Sequence, residues 1–91
     1  MIDYKKENLI RKINYRSRNR GNRENSIILS KFCYQSLRSM SLYELNNFYN
    51  LLNENDLDIY QWLTENDCPI KSYSEIINKI SQFNFTNDST K

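Results

Sequence analysis

The chain has 91 residues, 38% hydrophobic and 13% aromatic, with 13 lysines and arginines, 11 acids and no histidine. That length holds one domain and leaves no room for a deep cofactor cavity, while a mean hydropathy of −0.83 demands a strongly polar surface. Cys33 and Cys68 lack metal-ligand spacing, so zinc and haem sites are excluded, and no apolar run reaches the roughly 18 residues of a membrane span.

Apolar residues recur every three or four positions and no strand-type alternation persists, so the reading is all-α. A first helix over about residues 4–20 buries Leu9, Ile10 and Ile13, and Gly21, the only glycine, is placed either to end it or to let another surface approach. A second helix over about 22–38 carries the stripe Ile28, Leu29, Phe32, Cys33 and Leu37. Cys33 in that stripe is expected to be a small buried hydrophobe.

Ser41 and Glu44 form a capping box that starts the third helix near Leu42. Its core face is Leu42, Leu45, Phe48, Tyr49 and Leu52. Asp56 is expected to cap a fourth helix, with Asp58 in its first turn where the helix dipole favours negative charge. Ile59, Tyr60, Trp62 and Leu63 form its apolar face, and Trp62 is assigned to the core, with an interface anchor as the other role open to it.

Asn66-Asp67-Cys68-Pro69 ends that helix, since Pro69 forces Cys68 out of helical geometry. Cys68 lies in this loop and is expected to be exposed. A fifth helix, capped by Ser72 or Ser74, turns Ile76, Ile77, Ile80 and Phe83 inward. The result is a compact five-helix antiparallel bundle, a single domain over residues 1–83, with a frayed polar tail over 84–91.

Charge is split along the chain. Residues 1–23 hold eight lysines and arginines against two acids, and residues 24–91 hold five against nine. A basic surface on an otherwise acidic molecule steers it toward acidic partners. An arginine-rich helix with Tyr4 and Tyr15 also suits phosphates and bases, but the overall pI of 8.6 is modest for that role. Asp56 and Asp58 invite a paired-carboxylate reading, yet capping explains them, and no base, nucleophile or phosphate loop completes an active site. The chain is read as not an enzyme, with no metal and no stably bound cofactor.

Arg20-Gly21-Asn22-Arg23-Glu24, taken with Tyr15, Ser17, Arg18, Asn25, Leu29 and Phe32, resembles the Arg-Gly-x-x-Glu signature of the SdhE family, the mitochondrial succinate dehydrogenase assembly factor 2 family. Leu51-Leu52, Asp56, Asp58, Tyr60, Trp62-Leu63 and Pro69 are similar to its second block. The two blocks span about residues 9–80. Two positions depart from the pattern, with Asp67 where many members have glycine and Leu57 where proline is common.

The resemblance implies the same five-helix fold and an assembly chaperone that binds the flavoprotein subunit of succinate dehydrogenase and promotes covalent FAD attachment. Fumarate reductase is a second candidate client. On this reading Arg18, Arg20, Gly21, Arg23 and Glu24 bind the client, and Tyr15, Arg16, Asp56 and Trp62 are secondary interface candidates. Gly21 permits close approach, Arg20 and Arg23 pair with client acids or carbonyls, and Glu24 accepts a donor or orients an arginine.

The alternatives are an antitoxin-like regulatory module that binds protein and a small basic helical protein that binds nucleic acid. The N-terminus shows neither a signal-peptide apolar region nor the acid-poor character of a transit peptide. A bacterial cytoplasmic protein is therefore expected, or a matrix protein if the source is organellar.

Overall fold

The computed structural model describes residues 4–89, with side chains through 84. Five α-helices follow one another: α1 (Tyr4–Arg18), α2 (Arg23–Ser36), α3 (Leu42–Leu51), α4 (Asp56–Glu65) and α5 (Lys71–Ser89), with a 3-10 turn Leu37–Ser39 after α2. Helix α1 packs on α2 and α3, while α5 lies against α2, α3 and α4. The Cα radius of gyration, 12.5 Å, matches the roughly 12 Å of a globular chain this long.

The apolar stripes read from the sequence meet in one core. Ile13, Leu29, Leu45, Phe48, Leu51, Ile59, Ile77 and Ile80 have no solvent exposure at all. Phe32 packs with them, edge-on to Phe48 (5.9 Å between centroids) and to Phe83 (5.6 Å), the arrangement that the ring quadrupoles favour. Leu42 and Tyr60, expected inward, stand at 40% and 38% exposure instead, because α3 and α4 present narrower stripes than the spacing alone suggests.

Helix ends follow local chemistry, with three corrections. The Ser41 and Glu44 capping box forms as read, and the Glu44 carboxylate also pairs with Lys79 of α5. The cap of α4 is Asn55, whose side chain accepts from the Asp58 N–H at 2.9 Å; Asp56 is the first helical residue and is used elsewhere. Helix α5 begins at Lys71, before both predicted caps, and the Ser74 hydroxyl donates back to the Lys71 carbonyl. It continues to Ser89, past the boundary at 83, while residues 90–91 lie outside the described range.

Positive φ is used where glycine is absent. Asn66 ends α4 in the left-handed conformation, φ 51°, and the N–H groups of Asn66 and Asp67 both donate to the Trp62 carbonyl. Asparagine reaches this region at lower cost than other side chains.

Cys33 is buried, as expected, with its thiol donating to the Ser17 hydroxyl at 3.4 Å. Burial pushes its pKa up to about 11, against the opposing Ser17 hydrogen bond and the Arg18 charge. Cys68 corrects the expectation of exposure: it is 9% exposed, and burial raises its pKa as well. Thiolate being the reactive form, neither cysteine of the native protein is expected to be alkylated by iodoacetamide at pH 8, and both are in denaturant. Mass spectrometry of the treated protein checks this.

Candidate functional site

The Arg-Gly-x-x-Glu segment lies where α1 gives way to α2. Asn19 closes α1, its side-chain amide donating to the Tyr15 carbonyl at 2.7 Å. Asn22 opens α2, its side chain accepting from the Asn25 N–H at 2.9 Å. Between them Arg20 and Gly21 cross the end of α3 and the start of α4.

Arg20 is the fastener of this crossing. Its Nε meets Asp56 Oδ1 at 2.7 Å, while its two terminal nitrogens donate to the carbonyls of Leu52 (2.6 Å) and Glu54 (2.9 Å). The last carbonyls of a helix have no partner within it, and the rigid guanidinium fork satisfies two acceptors of the α3–α4 connection while pairing with a carboxylate. Arg16 donates to the same Leu52 carbonyl at 2.8 Å and lies over the Tyr49 ring, 5.2 Å from its centroid. Positive charge here also complements the dipole of α3.

Asp56 answers from the other side. Besides Arg20, it accepts from the Asn22 N–H at 3.3 Å and the Asn25 side-chain amide at 3.2 Å, and Asn25 also donates to the Asp56 carbonyl at 2.8 Å. Partial burial alone would raise the carboxyl pKa; the hydrogen bonds from Arg20 and Asn25, the Arg20 charge and the Asn22 N–H outweigh it and hold the pKa below its usual value. Asn25 has no solvent exposure, and its Oδ1 has no partner. Turning the amide over would set that oxygen against two acceptors of Asp56, so its orientation is fixed.

The structure thus divides the residues singled out from the sequence. Gly21, Arg18, Arg23 and Glu24 are exposed around the loop, and Tyr15 is 69% exposed on α1. Arg20 is placed by sequence among the client-binding residues, but its guanidinium turns inward and its side chain is 10% exposed. The contacts of Asp56 and Arg16 are likewise made within the chain, and Trp62 is 9% exposed, tilted against Tyr73 at 6.4 Å.

Gly21 does not end α1 by a left-handed turn, since its φ is not positive. An added Cβ would meet Asp56 Oδ2 at 3.6 Å, ordinary contact. Neither the backbone nor the interior therefore requires glycine here. Sequence reasoning gave Asn25 and Ser17 no structural part, although both are fully buried. The one available signal was the Asn22-x-x-Asn25 spacing, which places Asn25 beside an N-cap on the inner side of α2.

Among the described residues no group of His, Cys, Asp and Glu could hold a metal ion, and no helix is long and apolar enough to cross a membrane.

Comparison with known proteins places the chain in a family. A family model described as "Flavinator of succinate dehydrogenase" matches residues 11–84. The protein of Candida glabrata named "Succinate dehydrogenase assembly factor 2, mitochondrial" is 42% identical over 87 residues, 90% of this chain and 54% of its own length. Its namesake from Danio rerio is 37% identical over 90 residues, 96% of this chain and 54% of its own length. That of Saccharomyces cerevisiae is 43% identical over 65 residues, 71% and 38% respectively. The chain spans about half the length, or less, of these curated relatives, and no solved structure matches it. A match that takes in the Arg20–Asp56 clamp, the loop it holds and most of the core leaves one conclusion: the chain belongs to the family described as the flavinator of succinate dehydrogenase.

Proposed function

We propose that this chain is an assembly factor that binds the flavoprotein subunit of succinate dehydrogenase and promotes covalent attachment of its FAD. The observation that carries the reading is Gly21: an exposed glycine that the fold does not need, on a loop that the Arg20 clamp holds rigid, ringed by Arg18, Arg23 and Glu24. A side chain missing where the molecule's own structure would accept one leaves space for a second surface.

The exposed cations then pair with client acids or carbonyls, and Glu24 accepts a donor. The loop, being fixed, holds the client's flavin site in a geometry that favours attachment, so the rate gain comes from preorganisation. No group of this chain enters the bond-making step, and no cofactor is retained. The site of action is where the flavoprotein folds, the bacterial cytoplasm or the mitochondrial matrix.

Three substitutions at position 21 test the reading. Gly21→Ala is expected to leave stability unchanged or raise it by about 0.5 kcal/mol, through the lost freedom of the unfolded chain. Gly21→Leu and Gly21→Arg are expected to fold, yet to abolish covalent flavin on the client. The measurement is flavin fluorescence of the flavoprotein band in a denaturing gel, from cells in which each variant replaces the native protein. Undiminished fluorescence with the larger side chains would overturn the reading, as would affinity capture from the host that returns nucleic acid or a toxin in place of a flavoprotein.

A further inference from the structure

Along the α3 side of α1 runs a groove that the Arg18–Glu24 loop does not use. One part, about 460 Å³, is lined by Asn8, Arg11, Lys12, Tyr15, Arg16 and Tyr49. It continues past Asn8 and Lys12 into a second part of about 380 Å³, bounded by Lys5, Leu9, Leu42 and Asn46. Positions 5, 8, 12 and 16 share one helix face, and α1 rises about 16 Å between the first and the last.

The groove has a distinct chemistry. Tyr49, Leu9 and Leu42 give it apolar walls, Tyr15 stands exposed at its edge, and four cations line it without one acid. Lys5, Arg11 and Lys12 form no ion pair among the described residues. The acid of α3, Glu44, is engaged by Ser41 and Lys79 and does not line the groove. Arg16 ties the upper end to the loop, because it and Arg20 share the Leu52 carbonyl.

We propose that this groove docks an acidic segment of the flavoprotein subunit, as a second contact continuous with the Gly21 loop; the inference rests on the function proposed above. Apolar side chains of the segment seat between α1 and α3, and its carboxylates meet Lys5, Arg11 and Lys12 at the rim, where desolvation is small and attraction sets the encounter rate. A nucleic-acid strand suits the surface less well, since beyond residue 23 the molecule carries nine acids against five basic residues.

The test is a titration of the purified chain with the purified flavoprotein subunit from the same source, at about 50 mM and about 500 mM salt. R11E/K12E alters two exposed side chains outside the core and is expected to keep the native helical signal and melting temperature. Its Kd is expected to rise at least about tenfold at low salt, with the gap closing at high salt as screening removes the attraction. R11Q and K12Q read the same effect at smaller size should the double reversal unfold.

A photo-crosslinking residue at Tyr15 is expected to join an acidic segment of the subunit, identified by mass spectrometry. Wild-type affinity and salt dependence in R11E/K12E would overturn the groove assignment alone and leave the Gly21 reading standing. The same holds if the wild type retains single-stranded RNA through these cations while flavoprotein affinity is unmoved by the variant. Failure of the wild type to bind the subunit at all would overturn the proposed function and this inference together.

Discussion

Arg20→Ala is expected to destabilise the protein by about 2–3 kcal/mol and to lower its melting temperature by roughly 10–20 °C. The change takes a donor from three acceptors at once: the Asp56 carboxylate loses its charged partner and keeps only Asn22 and Asn25, the Leu52 carbonyl keeps only Arg16, and the Glu54 carbonyl loses its side-chain donor. Removing one partner of a fully buried pair costs about 3–5 kcal/mol, and the lower figure applies because Asp56 retains 24% exposure. Arg20→Lys is expected to recover little, since a single ammonium cannot span acceptors that the planar fork meets together. Thermal denaturation followed by circular dichroism measures both.

The same variant carries a pH signature. Asp56 has its pKa depressed in the folded state, so its contribution is fully present above the unfolded carboxyl pKa, near 4, and is lost as pH falls through the lower folded value. Wild-type stability is therefore expected to fall between about pH 4 and the acid limit more steeply than that of Arg20→Ala, which has lost most of the depression. Parallel acid limbs for the two proteins would show that the pair contributes nothing. Covalent flavin on the client is expected to fall with Arg20→Ala even below the melting transition, because the loop loses its anchor while the core stays folded.

Trp62→Ala is the larger loss, about 3–5 kcal/mol. The ring is 9% exposed, packs against Tyr73 and belongs to the core of Leu63, Ile77 and Ile80. For a domain whose whole stability lies near 5–15 kcal/mol, a cavity of that size leaves a marginal fold, and midpoint shifts in urea report it directly. A variant that kept its midpoint yet lost the flavoprotein subunit would make the tryptophan an interface anchor.

Helix positions were largely legible in the sequence because they depend on short-range spacing. Ser41 and Glu44 specify their capping box within four residues, and the stripes of α2 and α5 pick out Leu29, Phe32, Ile77 and Ile80 as core. Direction was harder to read. Arg18, Arg20 and Arg23 look alike in a linear basic run, and only the positions of the Leu52 and Glu54 carbonyls, more than thirty residues away, decide which of the three turns inward.

Neighbouring residues of similar chemistry misled in the same way. Asn55 and Asp56 both qualify as caps, and the choice falls to Asn55 because Arg20 and Asn25 claim Asp56. Gly21, by residue type, is open to a helix stop or a close approach, and the left-handed helix end falls to Asn66. Cys68 before Pro69 reads as loop and therefore exposed, yet the fold buries that segment.

The clamp also sets a schedule for synthesis. Arg20 leaves the ribosome 36 residues ahead of Asp56, the partner that fixes it, and at about 5–20 residues per second that interval is roughly 2–7 s. During it the Gly21 loop lacks the Asp56 carboxylate, and α1 and α2 by themselves supply only local bonds, the Arg20 N–H to the Ser26 hydroxyl and the Asn22–Asn25 cap. On the function proposed above, competence to receive a client would arrive only with α4, and a chain ending before Asp56 would carry the whole Arg-Gly-x-x-Glu motif without the clamp that positions it.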